Sequence, residues 1–74
     1  MNFKDLKTGD IIWTHQHVSA YDVMTGRYVR SYKPQTLFMI LYKRQQNLYT
    51  ITIALTWCGL FEVIFPDSFA IEQC

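Results

Sequence analysis

The chain is 74 residues long, half of its residues are apolar, and seven Lys and Arg against six Asp and Glu give a net charge of +1. This length allows one domain, residues 1–74, with a small core. The near-neutral charge gives no overall field that would direct the chain to nucleic acid or to an acidic surface. No apolar run approaches the roughly 20 residues of a transmembrane helix, and residues 1–10 lack the apolar segment of a signal peptide. Two isolated cysteines make no disulfide framework, so we expect a cytoplasmic protein that does not enter a membrane.

The first predicted strand, residues 11–18, follows a turn at Gly9-Asp10. Its β-branched and aromatic residues favour an extended chain, which we expect to bend in its second half. Alternation divides the strand between two faces, one with Ile12, Thr14, Gln16 and Val18 and the other with Ile11, Trp13, His15 and His17.

Residues 21–33 predict a hairpin arm. Its tip lies at residues 22–27, where Asp22 can bond back to the turn and Gly26 supplies a left-handed backbone. Alternation gives the arm one aromatic face, and Pro34 ends it because proline cannot donate to a central ladder. Polar residues on both sides of the arm predict that it protrudes from the rest of the fold.

Three further strands are predicted. Residues 36–43 are nearly all apolar and indicate a strand buried on both faces, ended by a polar turn at 43–47. Residues 48–56 alternate, residues 60–65 follow after Gly59, and residues 69–71 form either a short last strand or one helical turn. Helix is the alternative for residues 37–42, but that segment is short for a helix. The five main runs predict an all-β fold, a small five-stranded SH3-like barrel with a protruding β-hairpin.

Metal and catalytic sites have few candidates. His15 and His17 point to the same side of a strand, but a zinc site needs three or four ligands, so we expect no metal and no cofactor. Cys58 lies in an apolar run and is predicted to be a buried, protonated thiol rather than the partner of a histidine. The acidic residues are scattered singly, and the three glycines lie too far apart for a phosphate loop.

The arm carries the strongest binding signal, because aromatic and basic residues alternate along it. Such residues stack on bases and hold phosphates in single-strand binders, and Tyr and Arg also dominate protein interfaces. A hairpin with solvated arginines is the alternative. The predicted binding residues are Tyr21, Arg27, Tyr28, Arg30, Tyr32 and Lys33.

The order of the motifs resembles the MazF/PemK toxin family, whose members are SH3-like barrels. The similar segments are Gly9-Asp10-Ile11-Ile12-Trp13, Lys33-Pro34 before Leu37-Phe38-Met39-Ile40, Thr52-Ile53-Ala54-Leu55-Thr56, and Asp67-Ser68-Phe69-Ala70-Ile71-Glu72-Gln73. They span most of the chain in the family's order. The family continues into a further strand and a C-terminal helix, so the resemblance implies either a reduced member of the family or a look-alike.

The resemblance also implies candidate catalytic residues. In the family, an arginine before the proline stabilises the phosphate of RNA, and a threonine that ends the later strand assists cleavage. By position these residues are Lys33 and Thr56 here, with Arg30 as a stand-in for the missing arginine. Lysine lacks the planar fork that arginine offers a phosphate, which places this carry-over in doubt.

The sequence therefore supports three functions. The first is a small binding or inhibitor protein of a phage or mobile element, similar in setting to toxin–antitoxin proteins, which acts through the arm on a protein partner and has no complete catalytic set. The second is an endoribonuclease that uses Lys33 or Arg30 with Thr56. The third is a single-strand nucleic-acid binder that does not cleave. The surplus of aromatic residues predicts a homodimer under all three.

Overall fold

The computed structural model describes residues 3–74, except for the side chain of Lys4. These residues form an antiparallel sheet of seven strands, preceded by a single-turn 3-10 helix at Phe3–Asp5. The strands are β1 (Ile11–Thr14), β2 (Val18–Tyr21), β3 (Tyr28–Tyr32), β4 (Phe38–Gln46), β5 (Tyr49–Thr56), β6 (Gly59–Pro66) and β7 (Ile71–Gln73). Their order across the sheet is β3-β2-β6-β5-β4-β1-β7. Within the described range, no helix has the length and apolar character needed to cross a membrane.

The all-β prediction is confirmed, but the count of five strands is wrong. The chain turns away from the sheet at residues 15–17, so the predicted first strand is two strands, β1 and β2. Residues 71–73 add an edge strand beside β1. The arm also differs from the protruding hairpin that was predicted, because β2 pairs with β6 through Ala20↔Val63 and Tyr21↔Glu62.

The short link between β1 and β2 makes the sheet curl. Four residue steps carry the chain from Thr14 to Val18, so their Cα atoms lie at most about 14 Å apart. Four strand spacings separate β1 from β2 in the sheet order, which would be about 19 Å in a flat sheet. The sheet therefore closes into a half-barrel. The rings of Tyr32 on β3 and Phe38 on β4 are accordingly 5.4 Å apart, although four strand spacings also separate these two strands.

The inner face of the curled sheet is the core. Its buried apolar residues are Phe3, Leu6, Ile12, Val18, Ala20, Tyr32, Phe38, Ile40, Ala54, Val63, Phe65 and Ile71. The β5 strand contributes only small side chains here, namely Thr50, Thr52, Ala54 and Thr56. Small residues on the central strand leave volume for the rings of its neighbours, and Phe38 and Phe65 pack edge to face at 5.6 Å. The Thr52 hydroxyl is satisfied inside the core because it donates to the carbonyl of Val63 at 3.1 Å.

The opposite side of the three central strands lacks a covering layer, and we call it the outer face. It consists of Met39, Tyr42, Arg44 and Gln46 on β4, Tyr49, Ile51, Ile53 and Leu55 on β5, and Leu60, Glu62, Ile64 and Pro66 on β6. The prediction that residues 36–43 are buried on both faces is therefore wrong. Phe38 and Ile40 are buried, whereas Leu37 and Leu41 are exposed. A long apolar run indicates burial on both faces only when a second layer covers the sheet.

Two turns show how local sequence sets the strand ends. The predicted hairpin tip is confirmed: Asp22 Oδ1 accepts the backbone N–H groups of Thr25 and Met24, which lower the pKa of this carboxyl, and Gly26 has φ 72°. The predicted polar turn at 43–47 is wrong, since β4 continues to Gln46 and the chain reverses at Asn47, where φ is 54°. Asparagine tolerates this left-handed conformation better than most residues.

The neighbours Ile11 and Ile12 test the register of β1. Ile12 is fully buried and Ile11 lies on the other side of the strand, half-buried. We expect Ile12→Ala to lower the free energy of unfolding by about 2–5 kcal/mol and Ile11→Ala to lower it by less than half as much, in urea titrations followed by circular dichroism. A one-residue slip would exchange the two costs; equal costs, or the larger cost at Ile11, would contradict the register.

Candidate functional site

Four polar side chains converge where β3 passes the turn between β5 and β6. Arg30 Nη1 donates to Cys58 Sγ at 3.1 Å, and the Tyr32 hydroxyl lies 2.9 Å from the same sulfur. The Tyr32 hydroxyl also lies 2.8 Å from Thr56 Oγ1, which is 3.5 Å from Cys58 Sγ. We call Arg30, Tyr32, Thr56 and Cys58 the β3–turn cluster.

The tight turn after β5 positions the sulfur. Thr56 and Gly59 pair across the ladder, so that Trp57 and Cys58 form the connection, and Gly59 has φ 136°, a backbone conformation that glycine adopts readily. Thr56 Oγ1 donates to the carbonyl of Gly59 at 3.0 Å and accepts the backbone N–H of Cys58 at 3.3 Å. Because the threonine hydrogen is given to Gly59, the Tyr32 hydrogen is available to Thr56 or to Cys58.

A bulge in the arm points Arg30 inward. Tyr28 lies opposite Tyr21, but Arg30 lies opposite Ala20, so β3 has one extra residue between these two pairs. Directly opposite residues share a face of the sheet. Ala20 faces the core, so Arg30 is on the inner side, whereas Tyr28 shares the other side with Tyr21. The single aromatic and basic face predicted for the arm is thus divided between two faces.

The Arg30 guanidinium has aromatic neighbours but no carboxylate. Its central carbon lies 5.1 Å from the centre of the Tyr32 ring and 4.9 Å from that of the Trp57 ring, which is within cation–π range. No carboxylate of the described residues forms a salt bridge with it, and its Nε atom is buried without a hydrogen-bond partner. A half-buried cation of this kind can still accept an anion, such as a bound ligand, beside its hydrogen bond to Cys58.

The cluster shifts the pKa values of its two titratable groups, the Tyr32 hydroxyl and the Cys58 thiol. The hydrogen bond from Tyr32 lowers the pKa of the Cys58 thiol, with the Thr56 hydroxyl and the Arg30 charge acting in the same direction against partial burial. Burial raises the pKa of Tyr32, and the hydrogen bond to Cys58 adds to this rise. The prediction of a buried Cys58 is therefore corrected: the thiol is half-buried, and its hydrogen bonds lower its pKa.

A cleft of about 280 Å³ opens beside the cluster. It is lined by Arg30, Ser31, Tyr32, Lys33, Thr36 and Trp57. Two of these residues are cationic and none is acidic, and Trp57 is 74% exposed. A cationic hollow with an exposed aromatic wall offers charge to an anion and a flat surface to a ring.

The six predicted binding residues have different surroundings. Arg30 and Lys33 line the cleft, and Arg27 is exposed at the hairpin tip. Tyr21 and Tyr28 contact each other edge to face at 6.0 Å on the far side of the arm. Tyr32 differs most from its predicted role, because it is 2% exposed and its ring, packed in the core, is not available to a partner.

The candidate catalytic residues are only partly brought together. Thr56 and Arg30 belong to one cluster, connected through Tyr32 and Cys58. Lys33 lines the same cleft, but no hydrogen bond joins it to Thr56. Arg30, rather than Lys33, therefore belongs to the cluster that contains Thr56.

The histidines lie apart from this region. His15 Nε2 is 3.1 Å from Glu72 Oε2 on β7, and His17 lines a separate hollow with Ser19. In the described part of the chain, no three His, Cys, Asp or Glu side chains gather as metal ligands do.

Sequence reasoning missed Trp57 and the positive role of Cys58. Both residues lie in an apolar stretch between the predicted strands 48–56 and 60–65, and only Gly59 marks the turn. The available signal was the spacing of Thr56, Cys58 and Gly59. The hydroxyl of a threonine that ends a strand before a two-residue connection can accept the backbone N–H of the second connecting residue and donate to the carbonyl of the residue after it.

Comparisons of the chain with protein-family models, with curated proteins and with solved structures find no match. The function is therefore argued from the β3–turn cluster and its cleft.

The pH dependence of Cys58 alkylation tests the cluster. In a Cys74→Ser background, Tyr32→Phe removes the hydrogen bond that lowers the thiol pKa, so the midpoint of the rate against pH moves to higher pH and the rate at pH 7 falls. The measurement is the rate of iodoacetamide labelling, followed by mass spectrometry. Tyr28→Phe, which removes an exposed hydroxyl from the same strand, is the control. A midpoint that stays unchanged in Tyr32→Phe would contradict the geometry.

Proposed function

We propose that this protein is a binding module that captures single-stranded nucleic acid, with a phosphate in the cleft at Arg30 and Lys33 and an adjacent base on Trp57. The observation that carries the proposal is the Arg30 guanidinium, which lies beside an open cleft without a carboxylate partner. A phosphate would supply the missing anion and can accept two parallel hydrogen bonds from a guanidinium.

The charge of the cleft favours an anionic ligand although the whole chain is near neutrality. Both cationic lining residues come from β3 and the segment after it, and no acidic residue lines the cleft. Cys58 is the competing hydrogen-bond partner of Arg30, at 3.1 Å from Nη1. A phosphate would therefore meet a guanidinium that is already oriented by the sulfur and by two rings, which lowers the entropy lost on binding.

The exposed indole supports a nucleotide rather than free phosphate. Trp57 lies next to the guanidinium and is 74% exposed. Bases stack on such rings without strong sequence preference. The cleft volume of about 280 Å³ is at the small end of ligand sites, which suits one nucleotide unit of a longer strand.

We further propose that the curled sheet is a variant of the SH3-like barrel and that the MazF/PemK resemblance reflects a related site. The supporting observation for the barrel is that β1 and β2, joined by three residues, pair with β4 and β6 on the two sides of the β4–β5–β6 meander. The supporting observation for a related site is the contact network that joins Arg30 to Thr56 through Cys58 and Tyr32.

A ribonuclease is the second candidate, favoured by that same network. A guanidinium and a hydroxyl beside a phosphate are sensible parts for transesterification of RNA. The Thr56 hydroxyl, however, is mostly buried and already donates its hydrogen to Gly59. This hydrogen bond leaves the hydroxyl poorly suited to protonate a leaving group, so binding without cleavage fits the geometry better.

Capture of RNA is the direct test of the binding function. We expect a labelled single strand of about 12 nucleotides to bind at about 50 mM salt, with affinity that falls linearly in log salt. Loss of base stacking in Trp57→Ala should weaken binding by roughly 5- to 100-fold. Lys33→Ala should reduce the salt slope by about 0.7, the contribution of one phosphate contact. Fluorescence anisotropy measures both quantities.

Lys7→Ala is the matched control, because it removes one exposed positive charge outside the cleft. Its affinity and salt slope should equal those of the unaltered chain. Absence of binding at low salt would overturn the proposed function. Binding that Trp57→Ala and Lys33→Ala leave unchanged would overturn the site, and retention of a protein partner instead of RNA would restore the interpretation of the arm as a protein-docking element.

A denaturing gel separates binding from cleavage. The binding proposal predicts that a mixed pool of single-stranded RNA stays intact at high protein concentration. Discrete fragments that disappear with Thr56→Val and with Arg30→Lys would make the ribonuclease the correct function. Thr56→Val keeps the shape of the side chain and removes only its hydroxyl, and circular dichroism checks that both variants retain the sheet.

A further inference from the structure

The outer face carries a group of exposed apolar side chains. Tyr42, Tyr49, Leu55 and Leu60 are each between 44% and 54% exposed on it. By ordinary side-chain areas these four present roughly 400 Å², a value within the range of the largest apolar patch on a typical monomer. Patches of this size are often functional interaction sites.

The distribution of residues on β5 shows that this face differs from an ordinary solvent face. An antiparallel sheet with one wet side places its apolar residues inward and its polar residues outward. The β5 strand has the opposite pattern. The hydroxyl-bearing Thr50 and Thr52 face the core, whereas Ile51 and Ile53 lie at the centre of the outer face. The branched apolar side chains of the central strand thus face away from the core.

The charges on this face identify the occupant. Only one cation and one anion lie among its central residues, Arg44 on β4 and Glu62 on β6. Neither side chain forms a salt bridge within the described chain. A nucleic acid or an anionic membrane would leave Glu62 opposed by negative charge, and a basic partner would oppose Arg44. A surface that carries one charge of each sign is complementary to itself.

The strand register makes this self-complementarity geometric. Arg44 on β4 lies opposite Ile51, and Glu62 on β6 lies opposite Ile53. Arg44 and Glu62 are therefore separated by two strand spacings across the sheet and by two residues along β5. Their Cα atoms are therefore about 12 Å apart across the face. A two-fold axis that lies in the plane of contact, between Ile51 and Ile53, exchanges the two positions.

We propose that the outer face is the interface of a two-fold dimer, in which Arg44 of each copy pairs with Glu62 of the other. The isoleucines of β5 pack at the axis, and the two ion pairs flank them. An isologous interface requires each contact to occur twice, which one cation and one anion on the same face satisfy. This proposal does not depend on the cleft, which is lined by other residues.

Charge exchange tests the proposal in solution. We expect the unaltered chain to sediment as a dimer at roughly 10–100 μM. Arg44→Glu and Glu62→Lys each place like charges opposite one another twice, and each should weaken dimerisation by roughly 100-fold or more. The double variant restores opposite charges, so its dissociation constant should return to within about threefold of the original.

Lys7→Glu is the control, because it makes a charge reversal of the same size away from the outer face, and it should dimerise normally. Circular dichroism confirms that each variant keeps its sheet; Arg44→Glu is at an exposed position and remains informative if Glu62→Lys does not fold. A chain that sediments as a monomer at these concentrations would overturn the proposal. Single variants that dimerise like the original chain, or a double variant that stays as weak as the singles, would overturn it as well.

Discussion

The link of three residues between β1 and β2 is the constraint on which the rest of the structure depends. It joins strands that are four spacings apart in the sheet order, a distance that three residues cannot span across a flat sheet. The sheet must therefore curl, and its inner face becomes an enclosed core. A chain of this size buries a modest share of its surface, so enclosure by curvature replaces the second layer that larger β proteins use.

Curvature also creates the candidate site. In a flat sheet, β3 would lie three spacings from β5, about 14 Å away. In the half-barrel, the Tyr32 hydroxyl instead contacts Thr56 at the end of β5 and Cys58 in the turn that follows. The bulge that turns Arg30 inward completes the arrangement, because it places a guanidinium beside the same sulfur. Fold and site thus have one cause, and the cleft beside Arg30 follows from it.

The sequence predicted the elements better than their environments. Alternation correctly placed Ile12, Thr14 and Val18 together, and the chemistry of Asp22 and Gly26 predicted the hairpin tip, because these signals are local. The burial of residues 36–43 and the single face of the arm were misjudged, because a covering layer and a bulge depend on pairing with distant strands. For the site, Arg30, Lys33 and Thr56 were predicted as candidates, but the contact of Arg30 with Trp57 and the lowered pKa of the Cys58 thiol arise only when β3 meets the turn.

The contact between the rings of Tyr32 and Phe38 tests this account most directly, because these residues lie on strands that only curvature brings together. Their ring centres are 5.4 Å apart, whereas a flat sheet would separate the two strands by about 19 Å. The measurement is the nuclear Overhauser effect between the aromatic protons of the two rings in solution. The account predicts a clear cross-peak that is lost in Phe38→Leu, while the ladder contacts between β4 and β5 persist. Ladder contacts between β2 and β6 and between β4 and β5 without any Tyr32–Phe38 cross-peak would show an open sheet and would contradict it.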